Sequence, residues 1–179
     1  GLVWERLLPE ASYTGTDTGL GERPPSGWTN LFPHPLLSPD LLKLLAEMGH
    51  DDAVVLADAN FTAMSLGAGK PVLRLPGVGM ARTVGAVASV LPLAEDVDHP
   101  VAYMQVGGTE PPYRSALQRE VIGELAALGH LKSQQCESVE RFAFYERVRG
   151  AFAIVHTGEM QPWANFIFKK GVICDPLAE

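Results

Sequence analysis

The run Ala53–Ala57, five consecutive apolar residues reading A-V-V-L-A, constrains the fold of this chain more than any other stretch. A strand without polar alternation has no face to offer water, so it belongs in a sheet covered on both sides, as in parallel α/β architectures. The residues before it agree. Ser38 suits a helix N-cap, Pro39 the first helical position, and Leu41, Leu42, Leu44, Leu45 and Met48 form an apolar stripe at helical spacing before Gly49 stops it. Two polar residues then fall at the breaks: His50 just past the helix, and Asp58 just past the carboxyl end of the strand. Loops at such positions carry sites in open α/β folds.

The same alternation continues down the chain. N-F-T-A-M-S-L-G-A-G-K-P reads as a loop with one helical turn, and a second strand is expected over Val72–Leu75. A helix follows near Ala81–Leu91, with Val84, Val87, Ala88 and Leu91 on its apolar face, and then a strand over Val101–Val106. A long helix is expected over Tyr113–Leu128, using Leu117, Val121, Leu125 and Leu128 for the core and stopped by Gly129. S-V-E-R-F-A-F-Y-E-R-V-R-G gives a short strand or turn and a helix ending at Gly150, with Phe142, Tyr145 and Val148 on one face. Strands over Ala151–His156 and Ala164–Lys169 complete the pattern. Strands alternating with helices, without tight two-residue hairpins, predict an α/β fold: a mostly parallel sheet between two helical layers.

At 179 residues, with 46% hydrophobic and 20% charged residues, the chain has enough apolar side chains for one sizeable core. Residues 1–34 differ: their Gly, Pro, Ser and Thr residues interrupt any period, while Trp4, Leu7, Leu8, Tyr13 and Trp28 give them more apolar surface than a solvated tail needs. This segment is expected to be an arm packed on the main domain, residues 35–179, or on a neighbouring subunit. A net charge of −7, with 14 Lys and Arg that form no basic stripe, argues against nucleic acid or an anionic membrane as partner. The sequence carries no bilayer-length apolar run and no signal-like N-terminus, and its two cysteines, Cys136 and Cys174, lack metal or redox spacing. These features predict a cytoplasmic protein with two free thiols.

Several large function classes are absent by motif. G-A-G-K-P and G-V-G-M-A-R match neither phosphate-loop nor dinucleotide fingerprints. The five histidines form no H-x-x-x-H or H-E-x-x-H pair, and there is no G-x-S-x-G. His50 could simply end a helix, yet histidine is the side chain suited to proton exchange near neutrality. Asp58, in D-A-N, could simply make an Asx turn, yet it sets a carboxylate at the rim of the sheet. Arg141 and Tyr145, four apart, share a helix edge. Trp163 and Asn165, in P-W-A-N, pair a ring face with an amide, the combination that suits the C–H face and the hydroxyls of a sugar.

Taken together and in order, L-L-S-P-D-L-L-K-L-L-A-E-M-G-H-D-D, A-D-A-N-F, R-F-A-F-Y-E-R, F-A-I-V-H-T-G-E and W-A-N-F-I-F-K-K-G-V resemble the L-fucose mutarotase and D-ribose pyranase family, the R-F-A-F-Y-E-R segment most like its fucose branch. The resemblance covers about residues 35–174. It implies a three-layer α/β/α fold and a cofactor-free isomerase that interconverts the anomers of a monosaccharide, with no metal. It implies His50 as general acid, with Asp58, Arg141, Trp163, Ala164 and Asn165 binding the substrate and Tyr145 as a further candidate. It also implies ring-shaped homo-oligomers, often decamers, with sites near subunit contacts. Trp163 stands where a Tyr is common, a change that keeps stacking and removes a phenolic hydroxyl. The alternative expectation is a non-catalytic sugar-binding or transport-associated module using the same pocket.

Overall fold

The computed structural model describes residues 34–173, so the expectations placed on the N-terminal arm and on Cys174 lie outside the described residues. In chain order the elements are α1 (Pro39–Glu47), β1 (Ala53–Ala57), α2 (Ala63–Leu66), β2 (Val72–Leu75), α3 (Met80–Ala88), β3 (Val101–Met104), α4 (Ala116–Ala127), β4 (Cys136–Val139), α5 (Arg141–Gly150), β5 (Ala153–Thr157) and β6 (Phe166–Lys169). Ser38 caps α1 as expected, its hydroxyl accepting from the Leu41 N–H at 3.3 Å with Pro39 in the first turn. No helix among the described residues is long and apolar enough to cross a membrane.

The six strands form one sheet in the order β2-β5-β1-β6-β3-β4. β2, β5 and β1 run parallel, as do β3 and β4, while β6 lies between the two groups and is antiparallel to both neighbours. The mostly parallel sheet read from the sequence is therefore present, with one exception. Only eight residues separate β5 from β6. A parallel return would need a crossover of roughly a dozen residues or more, so this connection can only reverse the strand.

The pleat sorts the strand side chains into two cores. Val54 and Leu56 of β1, Val101 and Tyr103 of β3, and Phe166 and Phe168 of β6 pack with Leu41, Val84 and Val121 under α1, α3 and α4. Val55, Ala57, Ala102, Met104 and Ile167 point the other way, to Phe61, Leu66, Phe144 and Val148 of the α2 and α5 layer. Helices thus cover both faces, and the five-residue apolar strand is buried on each.

Several boundaries move. α4 starts at Ala116, not Tyr113, because Ser115 and Gln118 form a capping box there. Leu128, expected in the core, lies one residue past α4 and is exposed. The buried face of α5 is set by Phe144 and Val148, four apart, which turns Phe142 out to solvent. β5 starts at Ala153 because the Ala151 N–H still closes the helix end on the Val148 carbonyl at 3.1 Å. β6 starts at Phe166, leaving Ala164 and Asn165 in the loop before it.

Candidate active site

The carboxyl ends of β1 and β3, the amino end of antiparallel β6 and the N-terminus of α5 meet at one edge of the sheet. Asp58 follows β1 there and is 3% exposed. Its Oδ1 accepts from the Asn60 N–H at 3.0 Å, the Asx turn read from D-A-N. Its Oδ2 accepts from Asn165 Nδ2 at 2.8 Å, and the Ala164 N–H also donates to the carboxylate. In return the Asp58 N–H donates to Asn165 Oδ1 at 2.8 Å. Burial raises the Asp58 pKa, opposed by these donors and by the His156 charge nearby. The turn read for Asp58 is therefore present: one carboxylate oxygen builds it, and the other holds Asn165.

Trp163 reaches this edge by an unusual backbone, with φ +66°, a conformation that costs a bulky residue energy unless neighbours hold it. Gln118, fully buried on α4, supplies part of the hold: its Nε2 donates to the Trp163 carbonyl at 2.9 Å and to the Met104 carbonyl at 2.8 Å. Its Oε1 accepts from the Ser115 N–H at 2.9 Å, so no polar atom of this side chain is left unpaired. The indole lies over Gly107, where a Cβ would come within 2.7 Å of the ring, so the close approach requires glycine.

α5 delivers the remaining groups. Glu140 caps it, accepting from the Phe142 and Ala143 N–H groups at 2.7 and 3.2 Å. Arg141 begins the helix with its guanidinium 4.5 Å from the Phe142 ring centroid and no hydrogen-bonded or ionic partner among the described residues. One turn on, the Tyr145 ring meets Phe61 edge to face at a centroid distance of 5.7 Å.

Asp58, Arg141, Tyr145, Trp163 and Asn165 line one cavity of about 160 Å³, together with Asn60, Phe61, Met104 and Pro162. Ala164 turns its methyl into the α1, α3 and α4 core and meets the site only through its backbone N–H on Asp58. His50 is not in this group. It lies at the amino end of β1, separated from Asp58 by about 17 Å of strand at about 3.3 Å per residue, with its Nε2 3.0 Å from Asp96 Oδ2. Among the described residues no group of three or more His, Cys, Asp or Glu is placed to hold a metal ion. Sequence reasoning missed Met104, Phe61 and Gln118. Met104 and Phe61 carried no signal beyond their place at or after a strand end, and Gln118 only its capping box with Ser115.

Residues 33–173 match the RbsD / FucU transport protein family. The chain belongs to that family. Within it, the chain is 42% identical over 143 residues to the L-fucose mutarotase of Actinobacillus pleuropneumoniae serotype 5b (strain L20), covering 78% of this chain and 94% of that one. It is 41% identical over 143 residues to the fucose mutarotase of Homo sapiens, covering 77% and 90%. Among solved structures, the fucose mutarotase from Streptococcus pneumoniae in complex with L-fucose superposes with a TM-score of 0.66 at 37% identity, covering 77% of this chain and 95% of that one.

Proposed function

We propose that this family member is a mutarotase that interconverts the α and β anomers of a monosaccharide, L-fucose first. The observation that carries the reading is the single cavity lined by Asp58, Arg141, Tyr145, Trp163 and Asn165. Fucose mutarotases at about 40% identity over most of their length, one of them crystallised with L-fucose, support the choice of sugar. The reaction takes a proton from the anomeric hydroxyl and delivers one to the ring oxygen, opening the ring to an aldehyde that rotates and recloses in the reverse sense. No net redox or hydrolytic change occurs. Acid–base groups positioned for these transfers are worth roughly 10²–10⁴-fold.

Asp58, a buried carboxylate, and Asn165, which it orients, suit the sugar hydroxyls; the unpartnered Arg141 guanidinium suits a further oxygen, and the Trp163 face suits the C–H side of the ring. Ala164 contributes through its backbone, and Tyr145 offers a phenol at the rim. His50 as general acid can serve this cavity only from a neighbouring copy, since in its own chain it sits at the opposite end of β1. The reading therefore includes self-association into a closed ring, with a decamer as the expected size. Apolar side chains exposed on the segments that carry the site, Met64, Phe142 and Met160, support such a contact. A cytoplasmic location fits Cys136 as a buried free thiol.

Exchange NMR tests the reading: catalytic amounts of protein should speed magnetisation transfer between the α and β anomeric protons of L-fucose, with D-ribose in parallel. Mixed oligomers of His50→Ala and Asp58→Ala should regain exchange that neither has alone. Saturable fucose binding without exchange would instead support a sugar-binding module, the reading favoured by a structural relative described as a putative sugar binding protein, 38% identical with a TM-score of 0.70 and covering 77% of this chain and 92% of that one.

A further inference from the structure

A second cavity of about 270 Å³ lies against the first, and the two share Arg141 and Trp163 as common wall. Its remaining lining is Gln105, Val106, Gly107, Gly108 and Glu140. The two compartments present the same chemistry in duplicate. The first offers a carboxylate and a carboxamide, Asp58 and Asn165, beside the shared guanidinium and indole; the second offers Glu140 and Gln105 beside the same pair. From these matched walls we infer that the second compartment is a subsite for a second, neutral sugar unit carried by the substrate, so that the protein acts on the reducing end of an oligosaccharide as well as on a free monosaccharide. The inference rests on the mutarotase reading and names a wider substrate class for it.

The groups in the second compartment are available for this. Glu140 spends Oε2 on the start of α5 and has Oε1 left to accept from a hydroxyl. Gln105 Nε2 is held by the Thr109 carbonyl, which leaves its Oε1 as a second acceptor. The Arg141 guanidinium, uncommitted among the described residues, has several donors and can serve an oxygen on either side. Gly107 and Gly108 add no side chain, so backbone and the indole form the wall between them. A phosphorylated or carboxylated substituent fits less well, because Glu140 would face it across a small cavity in a chain of net charge −7. A hydroxyl-rich neutral ring meets no such repulsion.

The test uses the full chain and four sugars: L-fucose and galactosyl-L-fucose linked through O-2, O-3 or O-4, each with a free anomeric hydroxyl. The expected result is catalysed anomer exchange for L-fucose and, for at least one linkage isomer, exchange within about tenfold of it, with saturation transfer to protons of the galactose ring. Val106→Trp, which fills the second compartment, should lower exchange of that isomer by about tenfold or more and leave L-fucose unchanged. Gln105→Leu, a smaller change that removes one acceptor, should act in the same direction and serves if the first variant does not fold. The inference is overturned if L-fucose is exchanged while all three isomers are inert, or if an exchanged isomer is unaffected by both substitutions. Absence of exchange with L-fucose itself would overturn the mutarotase reading, and the subsite with it.

Discussion

The two ends of the parallel strands are held by different physics. At the carboxyl end, buried side chains bond to backbone and to one another: Asp58 to Asn165, Gln118 to Met104 and Trp163, and Thr157 Oγ1 to the Ala57 carbonyl at 2.9 Å. At the amino end the bonds are open to water: the ion pairs of Lys169 with Asp51 at 2.7 Å and Arg147 with Glu137 at 2.6 Å, and the His50–Asp96 hydrogen bond at 3.0 Å. The first kind fixes geometry, because a buried polar atom that loses its partner finds no water to replace it. The second kind is screened and adjustable. The cavity lined by Asp58, Arg141, Trp163 and Asn165 lies at the first end, where the geometry is fixed; the groups around His50 lie at the second, where it is compliant.

That contrast can be broken in steps. Asp58→Asn should give the largest effect, a loss of roughly 10–100-fold in anomer exchange by NMR with the fold retained, the worth of a charged hydrogen bond to a sugar hydroxyl. Since burial raises the Asp58 pKa above its ordinary 3.8, exchange in the native protein should decline, as pH is lowered, from a point above 3.8. The linkage has the opposite sign to a salt-bridged carboxylate: ionising Asp58 costs folding free energy, so its contribution to stability falls as pH rises from 3.8 through the folded value.

Gln118→Ala should come next, costing about 2–4 kcal/mol in urea unfolding, because it leaves the Met104 and Trp163 carbonyls and the Ser115 N–H without a partner. It should also loosen Trp163 and raise KM. The amino end also holds Cys136, buried at the start of β4, whose thiol pKa is pushed up by burial from 9.0 to about 11. The unfolded chain releases that proton first, so stability should fall as pH rises from 9 to 11, by about 2–3 kcal/mol at 1.36 kcal/mol per pKa unit, and Cys136→Ala should remove the slope. Arg147→Met, which breaks an ion pair largely open to solvent, should cost about 1 kcal/mol or less by the same unfolding measurement. A larger loss there would mean that the amino end is as rigid as the site.

Much of this was legible in the sequence where a residue's role follows from its own neighbours. The Ser38–Pro39 start, the Gly49 stop and the Ala53–Ala57 strand are local signals, and Asp58 and Asn165 stand at strand ends where loops carry sites. Gln118 was not legible as a brace for Trp163, because a glutamine on a helix looks alike whether it faces solvent or two buried carbonyls. Glu159 illustrates the same limit: its Oε2 accepts from the Met80 N–H at 3.1 Å, capping a helix 79 residues earlier in the chain. Gly107 looks like any other loop glycine in the sequence, and only the fold lays the Trp163 ring against it. His50 shows the limit from the other side, since a motif close to Asp58 in sequence lies a full strand away in space.

The placement of β6 between β1 and β3 also bears on how the protein comes to be made. Until Phe166–Lys169 is available, the sheet consists of two unconnected parts, β2-β5-β1 and β3-β4, each with an open edge facing the gap. Asn165, which enters with that strand, is also the partner of Asp58. The pairing that joins the two parts is therefore the same one that assembles the pocket.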